Sequence, residues 1–495
     1  MLSSFSFSST SSSWVTILGV TFILCIFYII LHTIYNLRLH PLRKYPGPWW
    51  LAASRIPYTF YVLRGAAARK TKDLHDMYGH VVRISPDTLS FTSSRAWPDI
   101  YGPGQPGGRG NISKDSRYYP ESHLKVFNAK TRRRLTQCHL TPSHHEACLR
   151  KHTNLFISKL QQSQYQSETK EVDLSHWLHL LTTDIAGDVI LGEKFGGLEN
   201  GQCRPIIAAI PCLARAFASA VELTQYPGIR YMMNTFWTWF NRAPKSPKTP
   251  MTVPKQTESH IKENKPISRI LDGPEDQRLS PVEKEAITMA LIIAGSETTA
   301  TLLAGSIYLL LKHHVYLKKL TSTLRTQFHT SSDMTLSALK EQQYLNAILK
   351  ESLRLYPPAP GNLFRRTEKE GHVVMGEVIP SNTTLTMNLW AANRSALNFH
   401  LPDNMVPERW IQPRSAEYQD DDRSVMKPFS IGPQDCPGRN FAWAEARLVL
   451  AYTLWNLDLE LVSESQDWMT WQKVFMFWMK PPLKVRCTPA QTRVE

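Results

Sequence analysis

Three groups of residues in this sequence could do chemistry. The first is Phe429-Ser-Ile-Gly432-Pro-Gln434-Asp-Cys436-Pro-Gly438, which sets one cysteine between two glycines just ahead of an apolar-periodic run (Phe441, Ala444, Leu448, Trp455). A helix starting there turns unpaired N–H groups and its positive dipole end toward the sulfur, favouring the thiolate that ligates metal. The glycines permit tight turns around it. A lone cysteine is more often an inert core residue, so the surrounding loop carries the argument. In the second group, Gly295-Ser-Glu297-Thr298-Thr299 places poor helix formers and a carboxylate that is costly to bury beside the apolar run Met289 to Ala294. Local rules broken together favour a functional site over an exposed face. In the third, Glu351 and Arg354 share a helix face at a spacing of three, and Arg409 in Pro407-Glu-Arg-Trp410 brings a second guanidinium to the same carboxylate. Alone, a Glu-x-x-Arg pair is an ordinary surface contact of little weight.

These residues need rigid supports. Ser280-Pro-Val-Glu283 reads as a capping box with proline at the first helical position, opening a helix that runs to about His313. At 1.5 Å per residue it is roughly 50 Å long, enough to cross the whole body. Glu351 and Arg354 lie on a helix ended by Pro357 and Pro358. Short β-rich runs at 81–84 and 89–92 flank a Ser-Pro-Asp turn and predict a hairpin; further strands are expected at 372–375 and 383–389. The Pro/Lys-rich stretch 242–266 reads as a surface loop. The fold class is therefore α+β and predominantly helical.

Composition bounds the rest. The 495 residues, 42% hydrophobic and rich in aromatics, give a packed globular body and exclude a disordered or collagen-like chain. Seven scattered cysteines without CxxC spacing exclude a disulfide framework or zinc ribbon and fit a reducing compartment. The net charge of +15 points to an acidic partner, whether nucleic acid, an anionic membrane surface or an acidic protein, and charge alone does not choose among them. The first 37 residues carry no Asp, Glu, Lys or Arg, and 14–35 is long and apolar enough for one transmembrane anchor, with residues 1–13 a Ser-rich N-terminus. No cleavage site separates this run from Arg38, Arg43 and Lys44, whose position after the span predicts a cytosolic body. The sequons at Asn111, Asn382 and Asn393 then stay unglycosylated. His40-Pro-Leu-Arg-Lys-Tyr-Pro-Gly-Pro48 reads as a stiff extended hinge within 36–50, leaving 51–495 as the globular domain.

Together, Ala294-Gly-Ser-Glu-Thr-Thr299, Glu351-x-x-Arg354, Pro407-Glu-Arg-Trp410 and the Cys436 loop resemble, in order and spacing, the cytochrome P-450 family, and within it the fungal secondary-metabolism enzymes. The resemblance extends from the proline-rich segment to Trp478-Met-Lys-Pro-Pro-Leu483, with support from Asp184-Ile-x-Gly-Asp188 and Asn440-Phe-Ala-Trp-Ala-Glu-Ala-Arg447. It implies the P-450 fold, haem b held by Cys436 as axial iron ligand, and insertion of one oxygen atom from O2 into a lipophilic small molecule. It further implies Glu297 and Thr298 as the proton-delivering acid and alcohol, and Glu351, Arg354 and Arg409 as a structural triad. Arg365 and Arg133 would clamp haem propionates, with Phe429, Gln434 and Gly438 around the cofactor. Two departures stand out: Gln434 occupies a position usually held by Arg or His, and Ala129 one usually held by an aromatic residue or His. Electrons are expected from NADPH through a separate reductase, because the chain ends soon after the cysteine helix. The expected location is the endoplasmic reticulum membrane, single-pass. Dehydration, coupling or rearrangement of the substrate remains an alternative chemistry, and a non-catalytic membrane haemoprotein an alternative class.

Other signals carry less. Gly102-Pro-Gly-Gln-Pro-Gly107 matches a dinucleotide fingerprint but leaves no helix start for a pyrophosphate. The run Arg132 to Arg134 has no accompanying nucleic-acid module. His145, Cys148 and His152 could share a helix face and bind zinc, although a basic, partly exposed face is the simpler reading. The aromatic-rich stretch 231–240 reads either as core or as an apolar entrance at a membrane surface. Ile293, Ala294, Leu363, Phe475 and Met476 are candidates for an apolar pocket.

Overall fold

A computed structural model describes residues 9–104, 111–119, 141–166, 170–242, 280–413 and 415–490. Ala129, Arg133 and the stretch 243–266 lie outside the described residues. The long helix spans Pro281–Lys312, and the Ser280–Glu283 capping box is formed in both directions, satisfying N–H groups that a helix start otherwise leaves unpaired. It packs against the helices Leu174–Ala186, Gln343–Leu355 and Arg439–Asn456. Leu303, Ile307, Leu349 and Leu450 are each fully buried at these contacts, and removing one such side chain costs about 2–5 kcal/mol. A glycine sets one close approach. A Cβ on Gly305 would sit 2.3 Å from the Tyr356 ring, and Tyr356 in turn stacks on Trp478 with ring centres 4.7 Å apart.

The expected hairpin is Val81–Ser85 paired antiparallel with Thr88–Phe91. Thr88–Phe91 pairs in parallel with Thr384–Met387, and Arg365–Arg366 closes this four-stranded sheet on the far edge. A three-stranded sheet joins Glu171–Asp173, Lys484–Pro489 and Leu457–Leu461, and two small hairpins complete the β structure. The body is helix-rich with small sheets, as the α+β, predominantly helical expectation required.

At the N-terminus, Ser9–Ile34 is helical, and Thr16–Leu39 is a candidate membrane span whose apolar window is unburied. The second stretch long and apolar enough, Glu283–Lys312, is mostly buried and belongs to the core. The hinge expectation is corrected. Pro41–Lys44 is a 3-10 turn rather than an extended connector, Leu42 is fully buried, and Asn36 donates to the Ala53 carbonyl at 2.9 Å. Arg83 clamps the segment through the carbonyls of Asn36 and, by its backbone N–H, Pro46. Proline fixes φ but leaves a donor-poor segment free to dock, which is what happened here. Of the sequons, Asn393 is fully buried and beyond the reach of glycosylation in the folded chain.

Candidate active site

A cavity of about 750 Å³ opens between the central helix and the cysteine loop. The central helix contributes Ala294, Gly295, Thr298 and Thr299; the loop contributes Phe429, Gln434, Cys436 and Gly438; Leu363 and Leu389 add apolar wall. The structure thus brings together two of the three groups singled out by spacing. Of the other pocket candidates, Ile293, Phe475 and Met476 are not among the residues lining the cavity, and Met476 is 44% exposed.

The cysteine loop is folded by its own backbone. The Cys436 N–H donates to the Phe429 carbonyl at 2.9 Å, and the helix Arg439–Asn456 begins three residues after the sulfur, with Gly438 as its N-cap. Gly432 has φ +77°, and a Cβ there would lie 2.0 Å from the Tyr101 carbonyl oxygen, so only glycine fits. Gly438 differs. Its φ is −86°, and a Cβ would meet nothing nearer than the Cys436 sulfur at 4.0 Å. Here glycine is not needed for the turn; it keeps space clear beside the sulfur.

Two polar side chains on this wall each keep a buried oxygen without a partner among the described residues. The Gln434 amide oxygen is buried and accepts no hydrogen bond among the described residues. Glu445, on the helix that follows Cys436, is 2% exposed, lines the cavity, and has one oxygen without a partner. Burial pushes its carboxyl up to about 8, against a small opposing effect of the Thr299 hydroxyl. Glu445 is therefore largely a neutral acid at pH 7. Sequence reasoning gave it no role; the available signal was a carboxylate set among Ala, Leu and Trp on an otherwise apolar helix.

Thr298 lines the cavity and donates to the Ala294 carbonyl at 2.6 Å. Glu297 does not line it. This carboxylate is 3% exposed and pairs with Lys480 and, at 3.3 Å, with His179. Thr301 and Lys480 also bond to each other at 2.7 Å. Burial alone would raise the Glu297 carboxyl, but Lys480 and His179 outweigh it and hold it below the usual range. Successive helix positions point about 100° apart, so adjacent Glu297 and Thr298 face different surroundings. Lys480 comes from the C-terminal segment and His179 from a neighbouring helix, partners that no spacing in the sequence links.

Glu351, Arg354 and Arg409 meet with all three side chains fully buried. Arg354 grips Glu351 with two bonds of 2.9 and 2.7 Å, Arg409 adds one of 3.1 Å, the Trp410 indole one of 2.8 Å, and the Val406 N–H another of 2.8 Å. Arg409 also pairs with buried Asp421, which sequence reasoning missed.

Arg365 is buried, with its guanidinium 4.9 Å from the Tyr101 ring centre and donating to the Phe364 carbonyl at 3.2 Å. It is not among the residues lining the cavity, and no carboxylate pairs with it among the described residues. His145 lies in the turn Pro142–His145, against Phe441 and on the cavity wall, apart from Cys148 and His152. The three do not share one helix face, because His145 belongs to the 3-10 turn before the helix, and the preferred reading of a basic, partly exposed face is corrected at His152, which is 4% exposed. In the aromatic-rich helix Pro227–Arg242, Tyr231 and Met232 are 74% and 70% exposed, which rules out ordinary core for them.

The family model described as cytochrome P-450 matches residues 112–487. The cytochrome P-450 monooxygenase aclL of Aspergillus oryzae is 35% identical over 477 residues, covering 94% of this chain and 96% of that protein. The cytochrome P-450 monooxygenase astA of Talaromyces wortmannii is 34% identical over 482 residues, with the same coverage of each chain. The cytochrome P-450 monooxygenase lcsI of Purpureocillium lilacinum is 33% identical over 503 residues, covering 96% of this chain and 94% of that protein.

Proposed function

The chain belongs to the cytochrome P-450 family, and from that premise we propose that it is a haem-thiolate monooxygenase that hydroxylates or epoxidises a lipophilic small molecule in fungal secondary metabolism. One observation carries the reading: Cys436 and Thr298 line the same largely apolar cavity.

The residues present fit a haem. The space kept beside Cys436 by Gly438 and the Arg365 guanidinium without a carboxylate suit a thiolate-ligated porphyrin with acidic side chains. Cys436 would hold the iron, Phe429 would flank the cofactor, and Arg365 and Gln434 would answer its propionates, the former after a side-chain movement. Arg133 is assigned the same task by resemblance alone. When bound, haem supplies activation of dioxygen; the protein supplies binding, orientation and protons.

Apolar walls from Leu291, Ala294, Leu363 and Leu389 exclude water and select a lipophilic substrate. Thr298 holds a hydroxyl at the cavity surface, released from Ala294 by rotation of one torsion. Glu297 stores negative charge one residue away, within a network that reaches Lys480 and His179, and can pass a proton only by changing rotamer. Glu445 holds a proton at the cavity wall near neutral pH. Electrons come from a reductase, in our reading an NADPH-dependent one drawn to the basic chain. The helix within 14–35 anchors residues 51–495 to the endoplasmic reticulum membrane, facing the cytosol.

The reading is tested with the haem-loaded full chain, a fungal reductase, NADPH and isotopically labelled dioxygen. One labelled atom in the product is expected, and product without label would replace oxygen insertion by coupling, dehydration or rearrangement. Thr298→Ala is expected to keep the reduced carbon monoxide spectrum and to divert electrons into peroxide. Unchanged coupling in that variant removes Thr298 from proton delivery.

A further inference from the structure

Three side chains of the kind that hold transition metals converge away from the cavity chemistry, where the helix Glu146–Gln166 meets the end of the helix Leu174–Ala186. Cys148 and His152 are one helical turn apart on the first helix and share a face. The second helix continues as a π-turn, Gly187–Leu191, whose wider winding changes the direction of its side chains and sets Asp188 against them. His152 Nε2 lies 3.0 Å from the Asp188 carboxylate, and the sulfur, ring nitrogen and carboxylate oxygen all fall within 4.8 Å of one another. His152 is 4% exposed, and its other nitrogen, Nδ1, has no partner among the described residues. The polar tie of this ring is therefore to the cluster and to nothing outside it.

We propose that Cys148, His152 and Asp188 form a zinc site that staples these two helices together, with water as the fourth ligand. Bonds of about 2.3 Å to sulfur and about 2.0–2.2 Å to nitrogen and oxygen place tetrahedral ligand atoms roughly 3.3–3.7 Å apart. Reaching that geometry takes a few tenths of an ångström of opening between His152 and Asp188 and a small inward turn of Cys148. One thiolate, one imidazole and one carboxylate neutralise a divalent ion, and the sulfur and nitrogen select zinc over magnesium or calcium. The Cys148 proton leaves to solvent as the Zn–S bond forms. Asp188 is 28% exposed at its side chain and Cys148 half-buried, which gives the ion a path and the water a place. Lys151 Nζ stands 3.9 Å from Asp188 on a side chain that is 54% exposed, free to swing aside. The helix Leu174–Ala186 packs along the central helix, so the staple would stiffen the wall that supports the cavity.

The test uses the full haem-loaded chain, stripped with a chelator, dialysed against zinc or magnesium, and analysed for metal and thermal unfolding. Wild type is expected to hold one more zinc per chain than Cys148→Ser or His152→Ala, and to melt higher with zinc but not with magnesium. Cys212→Ser, altered at an exposed cysteine elsewhere, is expected to match wild type. The haem spectrum of each variant verifies folding. Equal zinc content and equal melting in wild type and both cluster variants would overturn the site and leave His152–Asp188 as an ion pair that only packs two helices.

Discussion

Glu351 and Glu445 are both buried carboxyls on helices that flank the central helix, and their surroundings differ in one respect that matters. Glu351 accepts from two guanidinium groups, an indole and a backbone N–H. Those partners hold its carboxyl below the usual range, although burial pulls the other way. Glu445 meets one hydroxyl, keeps an unpartnered oxygen, and is pushed up to about 8. A buried carboxylate that is saturated with donors belongs to the scaffold, because every polar atom is already answered from within the chain. One that is left short of donors faces a space meant for something else. The same contrast separates Arg409, paired with Glu351 and Asp421, from Gln434 on the cavity wall.

The sharpest way to break this comparison is to empty the saturated cluster. Glu351→Ala leaves two buried guanidinium groups without their shared carboxylate and is expected to cost about 3–5 kcal/mol, with loss of haem-loaded protein. Melting of the variant within a few degrees of wild type would make the cluster peripheral.

Glu445→Gln probes the other side. Its folded carboxyl titrates above the unfolded one, so the folded state binds the extra proton. Stability is then expected to fall as pH rises through the ordinary carboxylate range and up to about 8, by on the order of a few kcal/mol. Denaturant unfolding across this range should show that slope in wild type and a flatter profile in Glu445→Gln. Parallel profiles would mean that the carboxyl is ionised and paired.

Glu297→Gln stands between the two cases, since Glu297 is buried and paired but adjoins the cavity residue Thr298. Removing its charge leaves Lys480 short of a partner and is expected to cost about 1–3 kcal/mol. The cost should shrink in acid, because a depressed carboxyl gives stability at neutral pH that is lost as pH falls through its folded value. Turnover should slow while the haem spectrum stays intact. A spectrum altered as much as turnover would make Glu297 a structural residue.

The contrast also explains what could be read in advance. Cys436, Glu351 and Arg354 sit in contiguous motifs whose spacing already encodes a loop before a helix or one helix face, and the Ser280–Glu283 box announces the central helix. Lys480, His179 and Asp421 reach their partners only through the tertiary fold, so no local period points to them. Glu445 was hidden because burial, not neighbours in sequence, sets its protonation. The proline-rich segment departs from its extended expectation for a related reason: proline restricts φ without saying whether the segment docks, and buried Leu42 and Asn36 make it dock. His145 parted from His152 where a 3-10 turn, invisible in the spacing, precedes the helix.

The central claim is that Cys436 carries the iron. The most direct measurement is the reduced carbon monoxide difference spectrum of the full haem-loaded chain beside Cys436→Ser. Wild type is expected to show the red-shifted Soret band of thiolate ligation, and the variant to lack it completely. A wild-type protein giving only the blue-shifted band, or a variant retaining the red-shifted one, would contradict it.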